Sequence, residues 1–297
     1  MIFFNIIMPV FVIIFFGFIF QKLKNPDFKS ISDFTLYFLT PCLIFKGLVN
    51  SKLNLSHFIT DGIIFMVCLT ASLWFISFIV EKLLKFDSLK SSAFSLSTIM
   101  MNTGNFGIPL ILFAYGQDGF AYAVINLVLF TFPLGTLAVF IASKGKSSIK
   151  NSLFEILKVP LFHAIILATI FRHFNIALPD VILKPINLIG DAAIPALLML
   201  LGMQLARTNL GSDMKPVFIA TFIRLLVSPI IAILLCNLLG ITGLPYKVLV
   251  IQTSTPSAII PLLYAVNYNS RPDIVASVIF FSTIFSAATL TILLAII

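Results

Sequence analysis

The 297-residue chain is 60% hydrophobic and 10% charged, with a formal net charge of +8. Polar groups cannot cover so apolar a surface in a soluble domain, so lipid must be the solvent for most of it. The Lys and Arg residues sit in short segments between apolar runs, not along a stripe that could follow phosphates, which argues against nucleic-acid binding and for loop orientation in a membrane.

A helix crosses a hydrocarbon core with about 20 apolar residues. In chain order, residues 2–21, 31–50, 58–82, 92–115, 119–142, 153–174, 180–205, 214–238, 245–267 and 272–296 meet that requirement. The expected fold is an all-α integral membrane protein of ten transmembrane helices. The first run lacks a basic leader and a small-residue cleavage site, so it is expected to be a retained helix. Cys42, Cys68 and Cys236 lie inside apolar runs without paired spacing and read as packing thiols, and no metal or cofactor motif accompanies them.

With the N-terminus outside, the inner loops hold Lys22, Lys24 and Lys29; Lys82, Lys85 and Lys90; Lys144, Lys146, Lys150 and Lys158; Arg207 and Lys215; and Arg271. The outer side keeps Lys46, Lys52, Arg172, Lys184 and Lys247. Positive residues favour the cytoplasmic side, so both termini are expected outside. Lys far outnumbers Arg, and Ile, Phe and Asn abound, as in chains from AT-rich bacterial genomes; the expected location is a bacterial inner membrane.

The prolines disclose a repeat. Pro9 and Pro160, Pro41 and Pro195, and Pro109 and Pro261 are separated by nearly equal offsets in corresponding spans. Residues 1–150 and 151–297 then form two five-helix units. Five is odd, so the second unit enters from the opposite face, as in the inverted repeats of secondary transporters.

The fourth span contains Met101-Asn102-Thr103-Gly104-Asn105-Phe106-Gly107-Ile108-Pro109, and the ninth Thr253-Ser254-Thr255-Pro256-Ser257-Ala258-Ile259-Ile260-Pro261. Proline removes a backbone donor and glycine favours unwinding, so both helices should break at mid-depth, facing a cavity, and if the breaks cross they form a four-ended site there. Each break exposes a half-helix N-terminus suited to a carboxylate. The candidate substrate-binding residues are Asn102, Thr103, Gly104, Asn105, Gly107 and Pro109 with Thr253, Ser254, Thr255, Pro256, Ser257 and Pro261. The plainer alternative is that these small residues only permit close helix packing. Asp191 is a candidate proton or cation ligand, or else a cap at the interface. Arg224, near mid-depth in the eighth span, is expected to pair with an acid or with carbonyls of a broken helix, with contact to an anionic substrate as the other reading.

Asn102-Thr103 with Gly107-Ile108-Pro109-Leu110, and Pro256 with Pro261, resemble the auxin efflux carrier family, which includes bacterial malate and malonate permeases and plant PIN proteins. Tyr264-Ala265, Asn267-Tyr268-Asn269 and Pro272-Asp273-Ile274 are similar to the segment after the second crossover, Gly190-Asp191-Ala192 with Leu201-Gly202-Met203 to the seventh span, and Arg224 with Pro229 to the eighth. The resemblance implies a scaffold domain, a transport domain with crossed helices 4 and 9, carboxylate transport, and Asn102, Pro109, Pro256 and Pro261 in the substrate region. A homodimer is compatible with it. The long hydrophilic loop of plant members between spans 5 and 6 is short here.

The function expected is permease transport of a small mono- or dicarboxylate such as malate or malonate by alternating access, with protons as the possible coupling ion. A sodium-coupled symporter or sodium/proton antiporter of similar inverted-repeat fold is the rival, and a membrane sensor a more distant one. No nucleophile-base pair points to an enzyme.

Overall fold

The computed structural model describes residues 1–49, 56–145 and 160–297, all of them helix, turn or short connection apart from one isolated bridge. The expected unit boundary at 150 and 151, the start of the sixth span, and Lys52, Lys146, Lys150 and Lys158 lie outside the described residues.

The helices are α1 (Phe3–Lys24), α2 (Phe28–Val49), α3 (His57–Leu83), α4 (Ser88–Ile99), α5 (Thr103–Ala142), α6 (Pro160–His173), α7 (Asp180–Ala206), α8 (Met214–Leu238), α9 (Gly243–Thr253), α10 (Ile260–Asn267) and α11 (Pro272–Ile296). Among the described residues, seven of them, α1, α2, α3, α5, α7, α8 and α11, are long and apolar enough to cross a membrane. This differs from the ten expected spans where helices are short or bent. Helix α5 covers the second part of the fourth expected span and the whole of the fifth and bends at Gly116, whose φ of 64° is open to glycine and strained for other residues. The remaining spans correspond to the shorter α6 and to the pairs of helix pieces on either side of two interruptions.

Four π turns, Phe3–Ile7, Thr35–Leu39, Thr103–Gly107 and Ile223–Val227, precede Pro9, Pro41, Pro109 and Pro229 in turn. The proline ring crowds the carbonyl one turn back and offers no N–H, and a widened turn relieves both problems without ending the helix.

The connections are capped. Asp87 accepts from the amides of Leu89 and Lys90, both at 2.9 Å, and starts α4. Asp27 does the same for α2 through the Ser30 amide at 3.0 Å.

Helices α1, α2, α6 and α7 pack chiefly on one another, and α3, α4, α5, α8, α9 and α11 form a second group. The α1–α7 contact is the most extensive, because glycines bring the two backbones together. A Cβ on Gly202 would stand 1.8 Å from the Ile14 carbonyl oxygen, and one on Gly17 2.2 Å from that of Met199. Large apolar side chains such as Phe15, Phe16, Phe75 and Phe78 face outward, as a lipid-facing surface requires.

Candidate functional site

Helix α4 ends at Ile99, and the chain turns extended at Met100 before α5 begins. Helix α9 ends at Thr253, and Pro256 forbids its continuation until α10 starts with Pro261 in its first turn. The two interruptions meet. The Asn102 amide donates to the Pro256 carbonyl at 2.8 Å and the Ala258 amide to the Met100 carbonyl at 2.9 Å, which pairs Met101 with Ser257 as an antiparallel bridge. Backbone opened at membrane depth must find partners in protein, water or ligand, and here each break satisfies the other.

Asn102 also caps α5. Its Oδ1 accepts from the Phe106 amide at 3.3 Å and its carbonyl from the Gly107 amide at 2.9 Å, while Nδ2 is buried and unpartnered. The Ser257 hydroxyl is likewise buried without a partner. Thr253, Ser254 and Thr255 donate their hydroxyl protons to the carbonyls of Leu249, Val250 and Gln252 on their own helix. Of the twelve residues expected at the site, Gly104 and Asn105 are half-buried and the others fully buried.

Arg224 lies on the π turn of α8 and is wholly buried. Its guanidinium donates to the Thr98 and Ile99 carbonyls at 3.1 and 3.4 Å, and to the Thr253 carbonyl and the Ser228 hydroxyl. The partners are thus the terminal carbonyls of both broken helices, one of the two pairings expected. Its Nε finds no acceptor, and among the described residues no carboxylate pairs with it.

Asp191 stands inside α7, away from the helix start at Asp180, so it does not cap that helix. It forms an ion pair with Lys46 of α2, beside a small cavity that Gln117 and Phe120 of α5 also line.

Sequence reading missed Gln252 and Asn126, both wholly buried. Gln252 Nε2 donates to the Thr103 carbonyl at 2.9 Å and the Ala123 carbonyl at 3.0 Å, and its Oε1 accepts from Asn126 Nδ2 at 2.9 Å. The network ties α9 to both limbs of α5. Gly107 makes room for it, since a Cβ there would come within 2.8 Å of Gln252 Cγ. The available signal was a pair of amide side chains in apolar runs, which in a membrane calls for a partner.

A groove of about 450 Å³ between α3 and α5, lined by Ile63, Thr70, Trp74 and Pro133 among others, shares no residue with the meeting breaks.

Among the described residues, seven apolar helices of membrane-crossing length, with two interrupted helix pairs joined at their breaks, fit a multi-pass membrane protein. The family model described as membrane transport protein matches residues 2–294, and the chain belongs to this family, that of the auxin efflux carriers. It is 30% identical over 295 residues to an uncharacterized transporter of Methanocaldococcus jannaschii, covering 95% of this chain and 94% of that one. It is 28% identical over 294 residues to an uncharacterized transporter of Methanothermobacter thermautotrophicus, covering 96% and 95%. A 111-residue stretch is 29% identical to auxin efflux carrier component 1 of Arabidopsis thaliana, covering 36% of this chain and 18% of that protein.

Proposed function

We propose that this transporter carries a small carboxylate, such as malate or malonate, by alternating access. The observation that supports it most is the meeting of two breaks beside two buried polar groups that lack partners, the Nδ2 group of Asn102 and the hydroxyl of Ser257. An unpartnered buried donor costs about 1–3 kcal/mol, a cost that a bound carboxylate would remove. The half-helix N-termini at Thr103 and Ile260 add partial positive charge.

In this reading the chain makes ten crossings as two inverted five-helix repeats, with α4–α5 and α9–α10 as the crossed, interrupted spans. The group α1, α2, α6 and α7 serves as scaffold, and the second group rocks against it in a bacterial inner membrane with both termini outside. Asp191, held by Lys46 near the junction of the groups, is the candidate for proton coupling.

Uptake of radiolabelled malate and malonate into proteoliposomes, with and without a proton gradient and with sodium varied, tests the reading. Saturable uptake that falls in Asn102→Ala while the protein stays folded supports it. Absence of uptake and of binding for either acid overturns it, and uptake that needs sodium favours the symporter alternative.

A further inference from the structure

The last carbonyls of a helix lack donors and carry partial negative charge. In carriers with broken helices such ends, with unwound carbonyls, are the usual holders of the coupling cation. Two such ends converge here, Thr98 and Ile99 at the close of α4 and Thr253 at the close of α9. The space between them is filled by a side chain of this protein, the Arg224 guanidinium, reaching in from α8, a helix that belongs to neither break. It is fully buried, and among the described residues no carboxylate neutralises it. A structural ion pair would bring its own anion; among the described residues the hydrogen-bond partners of Arg224 are three carbonyls and one hydroxyl.

We propose that Arg224 is a tethered substitute for a coupling cation, a positioning residue that joins the two half-helix C-terminal ends and supplies in permanent form the positive charge that a sodium-coupled carrier must recruit from solution. Transport is then independent of sodium because the cation travels as part of the protein. The charge also favours an anion over a neutral solute at the meeting breaks, through the helix ends it holds and without contact with the substrate. The inference rests on the carrier reading above.

The test is replacement of the tethered cation by a free one. Arg224→Ala leaves a carbonyl-lined hollow of guanidinium size. The purified variant should unfold at lower temperature than wild type, and millimolar guanidinium should raise its midpoint without raising that of wild type. In proteoliposomes, malate uptake by the variant should fall by about tenfold or more, as expected for loss of several charged hydrogen bonds. Added guanidinium should restore it, and labelled guanidinium should accumulate with malate, a readout that a merely structural role would not produce. Arg224→Lys keeps the charge and should retain cation-independent uptake, whereas Arg224→Gln should lose it, so these two decide the matter if Arg224→Ala does not fold. Sodium-dependent uptake by wild type overturns the proposal, as does full activity of Arg224→Gln or failure of guanidinium to stabilise a folded Arg224→Ala. If wild type moves no carboxylate, the carrier reading fails, while the guanidinium effect on unfolding still judges the cation site separately.

Discussion

The Asn102 amide donates to the Pro256 carbonyl across 2.8 Å, and through this bond two interruptions far apart in sequence become one structural unit. The bond is made by main chain, while Nδ2 of the Asn102 side chain beside it has no partner. Frame and proposed ligand group therefore separate under mutation.

Asn102→Ala should preserve the bridge but lose the free donor and the α5 cap, lowering stability by about 1 kcal/mol while cutting carboxylate uptake much more severely. Asn102→Asp restores the cap yet sets a buried negative charge where an anion is expected, so it should fail to transport and also unfold at a lower temperature than wild type. Thermal unfolding paired with proteoliposome uptake checks both; wild-type uptake by Asn102→Asp removes Asn102 from the site.

Gln252→Leu should be strongly destabilising. It strips partners from Asn126 and from the Thr103 and Ala123 carbonyls at once, and a buried network broken on one side costs about 2–4 kcal/mol. Gly107→Ala should harm the same contact from the other direction, because its Cβ meets Gln252 Cγ at 2.8 Å. The two substitutions should be less than additive in a double-mutant cycle of unfolding midpoints; additive losses would show that they do not share one network.

Gly202→Leu should separate α1 from α7. Even a Cβ at this position overlaps the Ile14 carbonyl oxygen, and the expected result is loss of folded, monodisperse protein in detergent. Gly240→Ala is a milder comparison: nothing lies within 4 Å of its Cβ, although its φ of +67° adds backbone strain. Size-exclusion chromatography of the two variants distinguishes packing from strain.

Asp87 should make the start of α4 sensitive to acid. The hydrogen bond from the Lys90 amide, with that from Leu89, holds its carboxyl below the ordinary aspartate value. A depressed folded-state pKa contributes stability that is present above the unfolded value of about 3.9 and disappears as pH falls through the folded one. Hydrogen exchange at the amides of Leu89 and Lys90 should therefore quicken, beyond its intrinsic pH trend, as acid is added in the range below pH 4. Asp87→Ala should remove that dependence and exchange faster at every pH.

Much of this was legible in the sequence because prolines and glycines act locally. Pro109, Pro256 and Pro261 mark the interruptions, and Gly116 falls between the expected fourth and fifth spans where α5 bends. Arg224 announced itself because a charge in an apolar run needs acceptors, and carbonyls of a broken helix were among those expected. The hydroxyls of Thr253, Ser254 and Thr255 read as donors to a ligand because sequence does not tell a free hydroxyl from one bonded back to its own helix. Gln252 and Asn126 escaped notice for the opposite reason: their partners come from distant segments, and tertiary packing alone brings them together. The Lys46–Asp191 pair has the same origin, joining α2 to α7 across 145 positions of sequence.

The Met101–Ser257 bridge has one more consequence. A joint built from main-chain amides and carbonyls depends little on the side chains that decorate it, so residues around it can be exchanged without dismantling the frame on which they stand.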